Sequence, residues 1–285
     1  MNIGVLIDSY KLPIEQAMKK ASLQGIEGIQ LYMVSGEYAY DKVTDQDLEN
    51  LIKLTQKYTL KISAVCGDLG GYGFERESDN LNFKIPATKR IIELAERLEV
   101  PVVTTHIGVI PEDKQDKRYS VMQKAMEELG RYAMQHCVAI AIETGPEKAT
   151  VLRSFLDTLT GGVKVNLDPA NFVMVTEQDP IEAVYLLSPY IVHTHVKDGK
   201  MLKKTSPKII YDYFAEGGIE DLRLNDYFLE TPLGEGCVDF KKYLNALKEV
   251  KYDGFLTIER EVGEDPEADI EKAVRFLKKE MEAIK

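Results

Sequence analysis

The chain has 285 residues, 44% of them hydrophobic and 29% charged, with a net charge of −11 at pH 7. That composition fills a full core without disulfide or metal staples, and the length suits one large domain or two small ones. The acidic balance is spread along the chain and argues against a nucleic-acid partner, because phosphate contacts need clustered lysine and arginine. The three cysteines, Cys66, Cys137 and Cys237, are far apart and form no C-x-x-C pair, so neither a disulfide framework nor a thiolate zinc site is indicated. The opening MNIGVLIDSY lacks the basic stretch and long apolar run of a secretion signal. No apolar run reaches the roughly 18 residues that cross a membrane, so a reduced, cytoplasmic protein is expected.

Short apolar runs alternate with helical periodicity along the whole chain. The predicted strands are IGVLI (3–7), GIQLY (28–32), KISAVC (61–66), VVTTHI (102–107), VAIAIE (138–143), VKVNLD (163–168), IVHTHV (191–196) and FLTIER (255–260). Between the first strands lie predicted helices. PIEQAMKKASLQ starts at Pro13, which suits a first turn, and Gly25 stops it. TDQDLENLIKLTQKY has Thr44 as N-cap with Asp47 three residues on. IPATKRIIELAERL follows. Eight strands alternating with helices over roughly 250 residues predict a (β/α)8 TIM barrel, a single domain over 1–285. No G-x-G-x-x-G turn follows the first strand, which argues against a doubly wound nucleotide-binding sheet. The span 200–236, between strands seven and eight, is too long for an ordinary connection and is predicted to close over a ligand.

Side chains alternate across a strand, so each strand reads as two faces. Val138, Ile140 and Ile142 oppose Ala139, Ala141 and Glu143; Val163, Val165 and Leu167 oppose Lys164, Asn166 and Asp168. Val192, Thr194 and Val196 oppose Ile191, His193, His195 and Lys197, and Leu256 and Ile258 oppose Phe255, Thr257 and Glu259. The branched apolar face must pack on the outer helices, which turns the other face inward. Glu143, Asp168, His195 and Glu259 then converge at the C-terminal end of the barrel, where such folds build their sites. His106 shares the parity of Thr104 and joins them. Three carboxylates and an imidazole in one cavity require a neutralising cation. An oxygen-rich set with one nitrogen suits a single divalent ion, manganese first, with magnesium, cobalt or zinc as alternatives.

Taken one at a time, these residues have simpler readings. Glu143 or Glu259 alone reads as a solvated strand end, Asp168 as a cap of the turn at Pro169, and Lys197 with Asp198 as a surface ion pair. His193 reads as hydrogen-bonded within the barrel, the cysteines as packing, and the tyrosine-rich 200–230 segment as loop material.

The segments IETG (142–145), LDPAN (167–171), HVKDG (195–199), PLGEGCVDF (232–240) and YDGFLTIERE (252–261) resemble, in that order, the sugar phosphate isomerase/epimerase superfamily of xylose isomerase-like barrels. They cover the second half of the chain densely, while the first half matches in element order. The resemblance implies that Glu143, Asp168, His195 and Glu259 hold one metal. It also implies that Glu143 and Glu259 are the catalytic pair, moving a proton on carbon through an enediolate that the metal stabilises. His106, Asn171, His193 and Lys197 are the expected substrate contacts, although several ketose epimerases carry a histidine where Asn171 stands. The implied activity is that of a sugar or sugar phosphate isomerase or epimerase. A dehydratase of a cyclic polyol ketone (inosose or dehydroshikimate type) is the alternative, and a non-catalytic sugar-binding barrel the alternative of another class. An apurinic endonuclease is disfavoured: Cys66 and Gly67 end strand three, and Phe228 and Glu230 precede LGEG, where further metal ligands would stand. A small sugar or sugar derivative is the expected partner, with neither nucleic acid nor membrane, and a homodimer or homotetramer is common in the resembled family.

Overall fold

A computed structural model of the chain describes residues 1–219 and 221–284. The barrel strands are β1 (Asn2–Leu6), β2 (Gly28–Tyr32), β3 (Lys61–Cys66), β4 (Val102–Thr105), β5 (Ala139–Glu143), β6 (Val163–Leu167), β7 (Ile191–Val196) and, after the hairpin strands β8 (Asp198–Met201) and β9 (Phe228–Thr231), β10 (Phe255–Ile258). They close in the order β1-β10-β7-β6-β5-β4-β3-β2, every pair parallel. The first helix, α1 (Ile14–Leu23), begins one residue after Pro13, which takes the N-cap position. In α2 (Asp45–Tyr58) the capping box forms: Asp47 N–H donates to Thr44 Oγ1, and Thr44 N–H donates to Asp47 Oδ2 at 2.9 Å. The next helix, α3, spans Ile85–Arg97. Among the described residues no helix is long and apolar enough to cross a membrane.

The outer faces of the strands, such as Val5, Ile29, Val65, Ile140, Val165 and Leu256, are fully buried in one large core shared with the helices. Inside the barrel the layers change in character. Ala64, Val102 and Ala141 form a small apolar floor with Val192 packed on it. Above it stand Gln30, Thr104, Asn166, His193 and Thr257, all buried. Gln30 Nε2 donates to Thr104 Oγ1 at 3.0 Å, so this layer is polar but internally bonded.

One face assignment is overturned. The pairing of β6 with β7 shifts so that Val165 faces Ile191 and Asn166 faces His193, leaving Val192 as an extra residue. This bulge reverses the alternation below it. Ile191 packs on the outer core, and Val192 turns inward with the histidines.

The insertion has structure of its own. β8 and β9 pair antiparallel, Asp198 opposite Thr231, and a helix runs from Pro207 to Ala215. Ile210 of that helix, with Ala170, Met174 and Val175, makes a second small core. The pair Lys197 and Asp198 is not a surface ion pair. Both side chains are buried and have separate partners. Asp198 accepts backbone N–H groups from Gly199, Gly234, Gly236 and Val238 at 2.9–3.1 Å, tying the start of the insertion to its end. A Cβ on Gly236 would lie 2.0 Å from Asp198 Oδ1, which is why the PLGEG turn carries glycine there.

Removing this acceptor leaves buried N–H groups unpaired. Asp198→Ala is expected to destabilise the protein by about 3 kcal/mol and to speed proteolytic cutting within residues 200–236. Chemical denaturation and limited proteolysis read the two effects.

Candidate active site

Ligand atoms of Glu143, Asp168, His195 and Glu259 all lie within 4.8 Å of one another, and all four residues are buried. They come from the ends of β5, β6, β7 and β10, as alternation along those strands requires. Glu143, His195 and Glu259 line a cavity of about 250 Å³ at the C-terminal mouth of the barrel. His195 Nδ1 is the meeting point, 3.3 Å from Glu143 Oε1 and 3.2 Å from Glu259 Oε2. Its other nitrogen, Nε2, lies 3.0 Å from Gln30 Oε1. A proton given to that amide oxygen leaves the Nδ1 lone pair facing the carboxylates, the arrangement of a metal-ligating histidine.

The site fits a divalent cation on two counts. Asp168 Oδ1 caps the N–H of Ala170 at 2.8 Å, while buried Asp168 Oδ2 and Asn166 Oδ1 have no hydrogen-bond partner. Glu259 Oε2 sits within ion-pair distance of His195 and Lys197, yet it too lacks an aligned hydrogen bond. Buried oxygens left this way are costly without a positive charge. The donors, three carboxylates and one imidazole, are those a hard or borderline ion takes.

The electrostatics follow from crowding. Burial raises the pKa of Asp168, and repulsion from Glu259 and Glu143 adds to it against the pull of Lys197, carrying it to about 7. Burial works the same way on Glu259, but Lys197 and His195 outweigh it and hold that carboxyl well below its usual range. Burial disfavours the Lys197 ammonium, yet Glu259, at 3.0 Å, and Glu261, at 2.8 Å, keep its pKa well above the ordinary value.

Of the other expected contacts, His106, Asn171 and Lys197 line the cavity. His193 does not. It lies beneath, its Nε2 2.9 Å from Gln30 Oε1 and 3.0 Å from Thr257 Oγ1, because the barrel layer it occupies is closed by the cluster above. Burial holds its pKa well below the usual value, with His195 adding to the effect. It therefore acts as a neutral support for the Gln30 amide that orients His195.

Several residues here were not singled out in the sequence. Gln30 could have been, since it is a polar side chain between Ile29 and Leu31 on a buried strand. Asp68 lies beyond β3 and holds His106 Nδ1 at 2.9 Å, which leaves Nε2 4.0 Å from Glu143 Oε1. Burial disfavours the His106 imidazolium, but Glu143 and Asp68 raise its pKa to about 10. Cys66, expected as packing, lines the cavity, and so does Tyr211 from the tyrosine-rich segment. The Tyr211 ring stands 5.9 Å from that of His106, and its hydroxyl lies 1.8 Å from where a Cβ on Gly145 would be. Glycine at that position admits the tyrosine.

Glu147 is buried behind these groups with Oε2 unpartnered. Burial lifts its pKa to about 8, against a backbone N–H at Ile110 that favours the charged form. The folded state thus holds a proton that the unfolded chain releases near pH 4.3. Stability from this group is present below that pH and lost as pH rises through about 8. Glu147→Gln should flatten the fall of melting temperature between pH 5 and pH 8. It should stabilise the protein at pH 8 by up to a few kcal/mol, with little change at pH 4. Thermal melts across pH measure this.

The sequence matches the xylose isomerase-like TIM barrel family over residues 18–280. No curated protein matches the chain. Among solved structures, a xylose isomerase domain protein from Planctomyces limnophilus superposes with a TM-score of 0.80 at 22% identity, covering 99% of this chain and 97% of its own. A D-tagatose 3-epimerase-like protein gives 0.76 at 19% identity, covering 100% of this chain and 98% of its own. The Bacillus anthracis protein described as the probable 3-DHS dehydratase of petrobactin synthesis gives 0.74 at 18%, covering 98% of this chain and 99% of its own. At these identities the structural likeness is one of fold. The sequence match runs through every barrel strand but the first, and the chain belongs to the xylose isomerase-like TIM barrel family.

Proposed function

We propose that the protein is a metal-dependent sugar isomerase or epimerase, in which Glu143 and Glu259 transfer a proton on the carbon next to a carbonyl. The observation that carries this reading is the meeting of both glutamates at His195 Nδ1 on the wall of one cavity. Asp168 and His195 would hold the cation together with the two glutamates, manganese suiting the three carboxylates and one imidazole best. When bound, the ion supplies Lewis-acid polarisation of a carbonyl oxygen.

The chain's own groups have distinct tasks in this scheme. One glutamate removes the proton and the other returns one to the opposite face. Each needs to lie within hydrogen-bond reach of the carbon it serves. Lys197 keeps Glu259 ionised, the form in which it can accept a proton, while lowering its basicity. His106, fixed through Nδ1 by Asp68, presents Nε2 to a substrate oxygen. The insertion covers one side of the cavity with Ile210, Tyr211 and Phe214 and limits the access of water.

The dehydratase reading keeps the same proton abstraction and adds the expulsion of a hydroxyl. The Asp68–His106 pair favours it specifically, because an imidazolium held this way can protonate a leaving group. A sugar-binding barrel without turnover would use the two glutamates only as metal ligands, and exchange at carbon separates it from the enzyme. The endonuclease reading loses further support from Glu230, which is bonded to Arg260 at 2.6 Å.

Incubating manganese-loaded protein with a ketose panel in deuterated water should incorporate deuterium at carbon without loss of water. A dehydrated product instead would assign the dehydratase. Glu259→Gln should lower exchange by about 100-fold or more with an unchanged circular dichroism spectrum, and full activity in that variant removes Glu259 from the reaction. Chelation should abolish exchange, and readdition of manganese should restore it. Elemental analysis of the purified protein identifies the ion.

A further inference from the structure

The cavity has two unlike sides, and together they point to a substrate class. On one side stand the metal-binding cluster, Gln30 and Lys197. The other is built by the insertion and the segment after β6: Met174, Val175, Ile210, Phe214 and Phe228. Met174, Val175 and Ile210 belong to the insertion's own small core, with Phe228 packed against it, so this wall is apolar by construction. Phe214 is 58% exposed although it lines the cavity: the Tyr213 ring meets it edge-on at 5.8 Å and leaves most of its surface uncovered. The polar groups nearby are already engaged or turned aside. Both carboxylate oxygens of Asp212 are held by Lys208 at 2.6 Å, and the Tyr211 hydroxyl lies over Gly145 at the His106 end of the cavity. A substrate hydroxyl pressed against this wall would lose water and gain no partner.

The charges around the cavity select against anions. Seven carboxylates line it (Asp68, Glu75, Glu143, Asp212, Glu230, Glu259 and Glu261), and Lys197 is the only lysine or arginine among the described lining residues. Lys197 is committed to Glu259 and Glu261. His106, the other cationic group facing the cavity, is held through Nδ1 by Asp68 and has Nε2 beside Glu143, at the metal-cluster end rather than along the far wall. A phosphate or carboxylate placed against the far wall finds no uncommitted lysine or arginine among the described lining residues, the side chains on which recognition of such groups chiefly rests. The volume, about 250 Å³, lies below the roughly 300 Å³ at which pockets for drug-sized ligands begin, so the ligand is small.

We propose that the substrate is an uncharged, monosaccharide-sized hydroxy ketone whose end remote from the carbonyl is apolar, a deoxy or alkyl terminus. This rests on the isomerase or epimerase reading above and sharpens it. The carbonyl and its neighbouring hydroxyl face the glutamates, and the terminal carbon lies against Phe214 and Ile210. A free sugar acid, a sugar phosphate or a carboxylate-bearing cyclic ketone is disfavoured, because its anionic group would meet no uncommitted lysine or arginine along this lining.

The test uses manganese-loaded protein with D-fructose, D-psicose, D-tagatose and D-sorbose, each as the parent, the 6-deoxy and the 6-phosphate form. Deuterium exchange gives kcat/KM, and the thermal upshift gives binding independently of turnover. For the configuration that responds, the 6-deoxy form should exceed its parent by about tenfold in kcat/KM and give the larger upshift, while the 6-phosphate gives neither. Phe214→Asn, at an exposed position, should bring the 6-deoxy to parent ratio close to one. Equal response of parent and 6-deoxy forms, a better response to the 6-phosphate, or an unchanged ratio in the variant overturns this inference and leaves the isomerase reading standing. Neither exchange nor upshift with any of these ketoses overturns that reading, and this inference with it.

Discussion

Three carboxylates forced together out of water dominate the inside of this barrel. Glu143, Asp168 and Glu259 are each less than a tenth exposed, and their oxygens crowd one imidazole. Such a cluster is tolerable only with positive charge in its midst. The chain supplies part of it through Lys197 and His195, and the raised pKa of Asp168 shows that this part is insufficient for all three to be ionised comfortably. The remaining demand is what makes the mouth of the barrel a candidate cation site. The neighbouring features serve that demand: the amide of Gln30 turns His195, the N–H of Ala170 pins one oxygen of Asp168, and Lys197 splits its charge between Glu259 and Glu261.

The support beneath the cluster is as specific as the cluster. Gln30 reaches across the barrel from β2, and its two ends cannot be exchanged without loss. The amide nitrogen donates to Thr104, so the oxygen must face the two histidines of β7. A neutral His193 suits that position, since a charged imidazole there would repel any cation held by the cluster above. The layer order, apolar floor, bonded amide layer, charged cluster, thus carries the chain from a hydrophobic interior to a reactive surface without an abrupt step in polarity.

Much of this was legible from residue order, because alternation along a strand is a local rule. Applied to β5, β6, β7 and β10 it brought Glu143, Asp168, His195 and Glu259 to one place. It failed where the rule is interrupted. The bulge at Val192 turns a residue that the pattern assigned outward, and a bulge is set by pairing with β6 rather than by its own sequence. It also reaches no more than one residue past a strand, so Asp68, two beyond β3, and Glu147, four beyond β5, escaped notice. The insertion was recognised by its length and expected to cover a ligand, yet the side chains that do the covering were read only as loop material. Tyr211 meets Gly145 across 66 positions of chain, and Asp198 collects N–H groups 36 to 40 positions away. Contacts of that reach are fixed by the closed barrel and leave no local periodicity to read.

The division between barrel and insertion also separates chemistry from selectivity. The cluster lies on strand ends, where the backbone is held by parallel neighbours on both sides and a side chain keeps its aim. The apolar wall lies on a short helix tied down through Asp198 and a two-stranded hairpin, outside the barrel ladder. A change in the wall therefore reshapes the cavity without moving Glu143 and Glu259, and TIM barrels in general vary by their loops over a constant set of strands. That arrangement explains why the order of short motifs identifies the family and says little about the substrate. The motifs IETG, LDPAN and HVKDG sit on the fixed half of the cavity, whereas Met174, Ile210 and Phe214, which shape the other half, belong to no such motif.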